Sequence, residues 1–231
     1  GSVKLSLGSS SLDIDDCINE TAERTISHLN YKRINTGKYL ICFTPEAFLD
    51  LISSFGNIFS ARAVLDGVSL TNEESLGKEI AVKSFSLYDN CLHEANISAN
   101  TFDGEGTPTG CICLIEEGKL VNLMHSEATA RHFGVQPTGH AGIGAKVSVG
   151  ADWFEIRKSK RFQNDSNSMS YKTNKNTFIL IDSLSALHAG VKASQGSFSL
   201  PFDGWIIENG EKTSIEAATI AGDILNVLKK I

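Results

Sequence analysis

The sequence has no basic excess. Its 27 acidic side chains outnumber 21 lysines and arginines, leaving a formal charge of −6 and a pI near 5.5. Engaging phosphates needs the opposite balance, so general nucleic-acid binders and proteins that cling to anionic membranes are excluded. No apolar run is long enough to span a bilayer. No stretch reads as a signal peptide, and Gly1-Ser2 reads as a cloning scar that carries no fold information. Cysteines are few and odd in number: Cys17, Cys42, Cys91, Cys111 and Cys113, with no C-x-x-C spacing. That pattern fits neither a disulfide framework nor a zinc ribbon, and points to reduced thiols in a cytoplasmic protein. Familiar catalytic signatures are missing too. His93-Glu94 begins an H-E-x-x-H motif, but Ile97 stands where the second metal-binding histidine belongs. There is no G-x-S-x-G elbow. Gly139 and Gly144 have the spacing of a phosphate loop, yet Ala145 replaces its lysine.

What is present suits one large domain or two small ones: 231 residues, 41% of them apolar. Ile14, Ile18, Ala22, Ile26 and Leu29 recur at helical spacing behind Asp13, Asp15 and Asp16, predicting an amphipathic helix over 12–29. Residues 39–43 predict a buried strand. Thr44 caps the helix after it, with Pro45 at its first position. A strand over 84–88 is expected to turn at Asp89-Asn90. Two hairpins follow from turn chemistry: 111–115 with 119–124 around Glu116-Glu117-Gly118, and 204–207 with 212–215 around Glu208-Asn209-Gly210. Ser126 caps a helix over 127–133 that stops at Gly134. Residues 178–181 form another strand, and a last helix is expected near 216–230. Arg157, Lys158, Lys160, Arg161, Lys172 and Lys175 surround a polar tract in a loop over 155–177. It reads as a solvated surface loop before it reads as a phosphate site.

Four places could carry chemistry. Cys111 and Cys113 point to one face of a strand, which suits buried structural thiols or, with His125, His132 or His140, a zinc site. Asp103 and Glu105 sit two apart among glycines, as a turn or as an acid–base pair. The segment Pro137-Thr138-Gly139-His140-Ala141-Gly142 is a constrained loop in which glycine permits positive φ and close approach. His140, between small residues, is expected to be exposed and available as donor or acceptor. The expected binding residues are Glu105, Gly139, His140, Gly142 and Asn209; no catalytic or metal-ligating residue is assigned.

Phe102-Asp103-Gly104-Glu105-Gly106, Thr138-Gly139-His140-Ala141-Gly142 and Glu208-Asn209-Gly210-Glu211 occur in order. With Thr36-Gly37-Lys38-Tyr39, Pro45-Glu46-Ala47, the segment 69–77, 114–118 and Thr219-Ile220-Ala221-Gly222, they make the chain resemble the carboxyl-terminal domain of the TldD/PmbA family. It looks nearer the PmbA (TldE) branch, because the TldD branch carries H-E-x-x-H. The longer polar loop and the apolar Ser199-Leu200-Pro201-Phe202-Asp203 depart from the family pattern. Residues 1–37 read as tag remnant and linker helix, and 38–231 as the domain itself. The expected fold is α+β, mainly antiparallel sheet with hairpins, flanked by amino- and carboxyl-terminal helices. The resemblance implies a non-catalytic subunit of a cytoplasmic metallopeptidase acting on peptides. It would need no cofactor of its own and pair with a zinc-bearing TldD-like subunit or with itself, with no nucleic-acid or membrane partner. The alternative is a regulatory protein-binding module, as the family's DNA-gyrase label implies.

Overall fold

A computed structural model describes residues 13–158 and 177–231. Along the chain lie α1 (Ile14–Ser27), β1 (Tyr31–Lys32), β2 (Leu40–Phe43), α2 (Pro45–Ser54), α3 (Ala61–Leu65), β3 (Phe85–Asn90), β4 (Cys111–Glu116), β5 (Lys119–Leu120) and α4 (Glu127–Phe133). Then come β6 (Ala141–Gly142), β7 (Ser148–Val149), β8 (Phe154–Lys158), β9 (Phe178–Leu184), α5 (Leu187–Gly190), β10 (Val191–Lys192), β11 (Ser197–Glu208), β12 (Glu211–Ile215), β13 (Ala218–Asp223) and α6 (Ile224–Leu228). The fold is α+β, and among the described residues antiparallel strand pairings outnumber parallel ones. The described residues divide into two compact units: 13–50, 177–186 and Leu200–Ile220 in the first, and 51–158, Leu187–Ser199 and Ala221–Ile231 in the second.

The first unit is built on a sheet of order β1-β12-β11-β9-β2. Its centre is antiparallel, while the end strands β1 and β2 run parallel to their neighbours. Phe178, Ile179, Ile181, Leu200, Trp205 and Ile206 are buried there, each contributing about 1.5–3 kcal/mol relative to exposure. The β11–β12 hairpin turns at Asn209 (φ 53°) and Gly210 (φ 86°), the pair of left-handed residues that the Asn-Gly sequence predicts. Thr44 caps α2 as expected, its hydroxyl accepting from Ala47 N–H at 3.2 Å. The amino-terminal helix forms, capped by Asp13. Its apolar stripe, however, faces away from the sheet. Half-buried Cys17, Thr21 and His28 lie on the inward side, and no residue of α1 is fully buried.

The second unit carries the sheet β5-β4-β3-β8 and the small pair β6-β7. Leu87, Leu114, Ile115, Leu120, Phe55, Phe59 and Met124 fill its core. Glu117 (φ 46°) and Gly118 (φ 80°) make the β4–β5 turn. Ser126 caps α4 through Thr129 N–H, and Gly134 ends it at φ 66°, as the sequence predicts.

Four expectations change. Asp89-Asn90 is not a turn: β3 runs through it, because Asp89 continues the inward face of Phe85 and Leu87. The carboxyl-terminal helix is one short turn starting at Ile224. Thr219 and Ile220 are β-branched and extend in β13. The Asp223 carboxylate then caps α6 by accepting from Asn226 N–H. Residues 155–158 of the expected polar loop belong to strand β8, and 159–176 lie outside the described residues. Finally, Cys111 is exposed and Cys113 half-buried, so the pair is not a buried structural one. Burial is nevertheless the largest effect raising the Cys113 thiol pKa.

Candidate functional site

In the second unit a cleft of about 300 Å³ is lined by Asp103, Gly104, Gly139, His140, Gly142 and Asp152, among others. Two carboxylates assemble it. Asp103 Oδ1 accepts from Glu105 N–H and Thr107 N–H, both at 2.9 Å, which folds 102–107 into a turn. Its other oxygen accepts from Ala141 N–H at 2.9 Å, and Gly104 N–H donates back to Ala141 O at 2.7 Å. The glycine-rich loop is thus tied to the turn at two points. A Cβ on Gly104 would meet Ala141 O and Ile143 N at 2.9 Å, so only glycine permits the approach. Gly139 is equally constrained: its φ is 75°, and a Cβ would run into Pro108 O and Thr109 Cα. Gly142 differs, because a Cβ there would meet only the Ser148 hydroxyl, which can turn away.

The second carboxylate is Asp89, fully buried on β3. Its Oδ1 accepts from Asp152 N–H (2.9 Å) and Trp153 N–H (2.8 Å), fixing the entry to β8. Its Oδ2 lies 3.0 Å from His140 Nε2. A carboxylate only accepts, so Nε2 carries the proton. The other ring nitrogen, Nδ1, lies 2.8 Å from Thr138 Oγ1, which also accepts from His125 N–H at 2.7 Å. His140 is therefore a core residue with its side chain 2% exposed, not the exposed histidine that its small neighbours suggest. A buried carboxylate survives only when it is hydrogen-bonded, and Asp89 satisfies that condition through three N–H donors. Beside it, His125 is buried, and its Nδ1 has no hydrogen-bond partner among the described residues. Burial first, then the charge of His140, push its pKa below the ordinary histidine value. Asp152 is pushed the other way, upward, by burial and then by Asp89.

Of the five expected binding residues, Gly139, His140 and Gly142 line the cleft. Glu105 lies in its adjoining turn, but Glu105 Oε2 accepts from Glu127 N–H at 2.8 Å and so anchors the start of α4. Asn209 belongs to the hairpin of the first unit. Asp89 and Asp152 were missed as members of the site. The alternation Phe85, Leu87, Asp89 was the available signal for the first of them.

Asp89, His140 and Asp152 bring one ligand atom each within 4.8 Å of one another. They do not fit a metal. Three N–H groups already occupy the two oxygens of Asp89, and both His140 nitrogens face partners. Ligation would require breaking the contacts that hold the loop. His93 is also accounted for: its Nδ1 accepts from Ala95 N–H, and its ring stacks on Trp153 with 5.3 Å between centroids. A larger cleft of about 500 Å³ lies in the first unit beside Arg24, His28, Asp182, Asp203 and Ser214. There His28 Nδ1 sits 2.6 Å from Ser214 Oγ. Such a pair can activate a nucleophile, but Ser214 is only 2% exposed and its hydroxyl serves as an anchor for α1.

Comparison with known proteins fits this architecture. The metalloprotease PmbA of Escherichia coli O157:H7 is 27% identical over 218 residues, covering 92% of this chain and 44% of that protein. A Thermotoga maritima protein described as a modulator of a DNA gyrase superposes with a TM-score of 0.83 at 28% identity, over 96% of this chain and 50% of its own. TldE from Thermococcus kodakarensis shares the fold, with a TM-score of 0.78 at 22% identity, over 95% of this chain and 49% of its own. The chain spans about half the length of the relatives it matches. Residues 36–231 match the model of the PmbA/TldA metallopeptidase C-terminal domain, and the chain belongs to that family.

Proposed function

We propose that this chain contributes a PmbA/TldE-type, non-catalytic domain to a cytoplasmic metallopeptidase that acts on peptides, with zinc supplied by a TldD-like partner subunit. One observation carries the reading. The chain belongs to a metallopeptidase family, yet its only clustered histidine and carboxylates among the described residues are spent on holding a loop. The sequence adds that H-E-x-x-H is absent. What remains is a cleft lined by glycines together with Asp103, His140 and Asp152, a surface suited to framing a peptide or a subunit contact. The test is zinc content and peptide cleavage by the purified chain, alone and mixed with a TldD-like subunit. We expect neither zinc nor cleavage alone, and cleavage in the mixture. Stoichiometric zinc together with cleavage by this chain alone overturns the reading.

A regulatory role on a partner protein is the second reading, favoured by the description of the Thermotoga relative. The acidic charge balance directs it to protein and not to DNA. Retention of purified gyrase by the immobilised chain would favour it; retention of a TldD-like chain and not gyrase would reject it.

A further inference from the structure

We infer that His125 is an acid sensor: when its buried ring takes a second proton, the glycine-rich loop lets go and the cleft opens. The two histidines of the second unit are built differently for that event. Between them lies the Thr138 hydroxyl, with one hydrogen and two lone pairs. One lone pair accepts from His125 N–H at 2.7 Å. With His140 Nδ1 bare, the hydroxyl donates its hydrogen to that nitrogen at 2.8 Å. With Nδ1 protonated, the second lone pair accepts from it, and the hydroxyl hydrogen turns to His125 O at 3.2 Å. His140 is thus provided for in either state, its Nε2–H on Asp89 Oδ2 in both.

His125 has no such provision. Its Nδ1 is shut off from solvent and has no partner among the described residues. A charged ring carries a hydrogen on both nitrogens, so the one on Nδ1 becomes a buried donor with nothing to receive it. From α4 the ring meets Phe133, 5.2 Å away between centroids, and Thr129, neither of them charged. The Glu127 carboxylate of that helix is engaged by Arg131. From the loop it meets His140, a like charge when protonated. Asp89 and Asp103 are engaged by backbone amides and by His140, and Asp152 acts on Asp89 and His140. The backbone of Thr129 favours the charged ring, but burial and His140 outweigh it. Relief comes by opening. His125 and the loop are joined through the Thr138 hydroxyl and through Thr138 N–H, which donates to His125 O at 3.2 Å. Parting them frees the ring to reach water, and the same loop carries Gly139, His140 and Gly142 of the cleft. All these atoms belong to the second unit. Polypeptide packed on its outside cannot supply the missing acceptor without first moving the loop. This inference is independent of the peptidase reading.

The sign follows from the closed loop holding the ring neutral: the open loop binds the proton first as pH falls, so acid favours opening below about 6.5, the ordinary histidine value. The test is amide exchange of the 231-residue chain followed by NMR, each rate divided by the free-peptide rate at the same pH. From about pH 7.5 to about pH 5.5 the opening constant read at His125 N–H and Thr138 N–H should rise about tenfold. At every pH these two amides should open at least about tenfold more often than those of the β3–β4 pairing, because the loop leaves while the sheet stays closed. His125→Gln, which cannot charge, should abolish the rise. In the unsubstituted chain the His125 ring resonance should titrate in step with the opening, which decides the matter if the variant does not fold. No rise, a rise that survives His125→Gln, or opening no more frequent than in the β3–β4 pairing overturns the proposal. So does a His125 ring that titrates with no change at Thr138.

Discussion

The two units use the same parts under different loads. Each has a hairpin closed by two left-handed residues, Glu117-Gly118 in the second unit and Asn209-Gly210 in the first. A Cβ on Gly118 would run into Ala81 O and lie 2.8 Å from Val82 O, whereas a Cβ on Gly210 would meet nothing within 4 Å. Each unit also has a histidine paired through a hydrogen bond. His140 is buried against a buried carboxylate, while His28 is half-buried against a hydroxyl. Local chemistry decides that a turn or a pair can form. The neighbours decide how much depends on it.

The largest effect that tests this contrast is at the histidines. His140→Ala strands the buried Asp89 carboxylate without its Nε2–H donor and should cost about 3–5 kcal/mol. His28→Ala gives up one hydrogen bond and a ring stack and should cost about 1–2 kcal/mol. Urea denaturation of both variants measures the difference, and equal losses would break the comparison. The glycines come next. Gly118→Ala combines unfavourable φ with a backbone collision and should cost about 2–4 kcal/mol. Gly210→Ala meets only the φ penalty, about 1 kcal/mol. Similar melting temperatures for the two would mean that the Ala81–Val82 segment yields to the new methyl.

A smaller effect should appear with pH. His125 has a lowered folded pKa, so the unfolded chain binds its proton first as pH falls. The stability it contributes is present at neutral pH and is lost as pH drops through roughly 6.5, the unfolded value. His125→Gln should flatten the stability profile across that window. Asp152, with its raised pKa, acts in the opposite sense and at lower pH, where protonation favours the folded state. The smallest expected change is a gain: Glu117→Asn places the preferred residue at a left-handed turn position and should add a few tenths of a kcal/mol. An unchanged denaturation midpoint would show that the surroundings already offset the poor local choice.

Much of the fold was legible because it is written locally. The caps at Thr44 and Ser126, the stop at Gly134 and both hairpin turns depend on residues within a few positions of each other. The site was legible only in outline. The glycine-rich segment and the Phe102–Gly106 turn announce a constrained place, but the link between them runs through Asp103 and Ala141. The burial of His140 comes from Asp89, which lies 51 residues away. Asp89 resembled a turn residue because aspartate usually is one, and its role emerges only when β4 and β8 close around β3. The inverted orientation of α1 was illegible for a related reason. Periodicity finds the stripe, but the polar grip of His28 on Ser214 requires the sheet to exist first.

Asp103 has one more consequence, in time instead of in free energy. Its single carboxylate receives the amides of Glu105, Thr107 and Ala141, closing a 38-residue separation with one side chain. Withdrawing that one carboxylate frees all three amides at once. In hydrogen–deuterium exchange they should therefore open together, as one cooperative event, and exchange at a common rate. Asp103→Asn would convert that single clock into three separate ones.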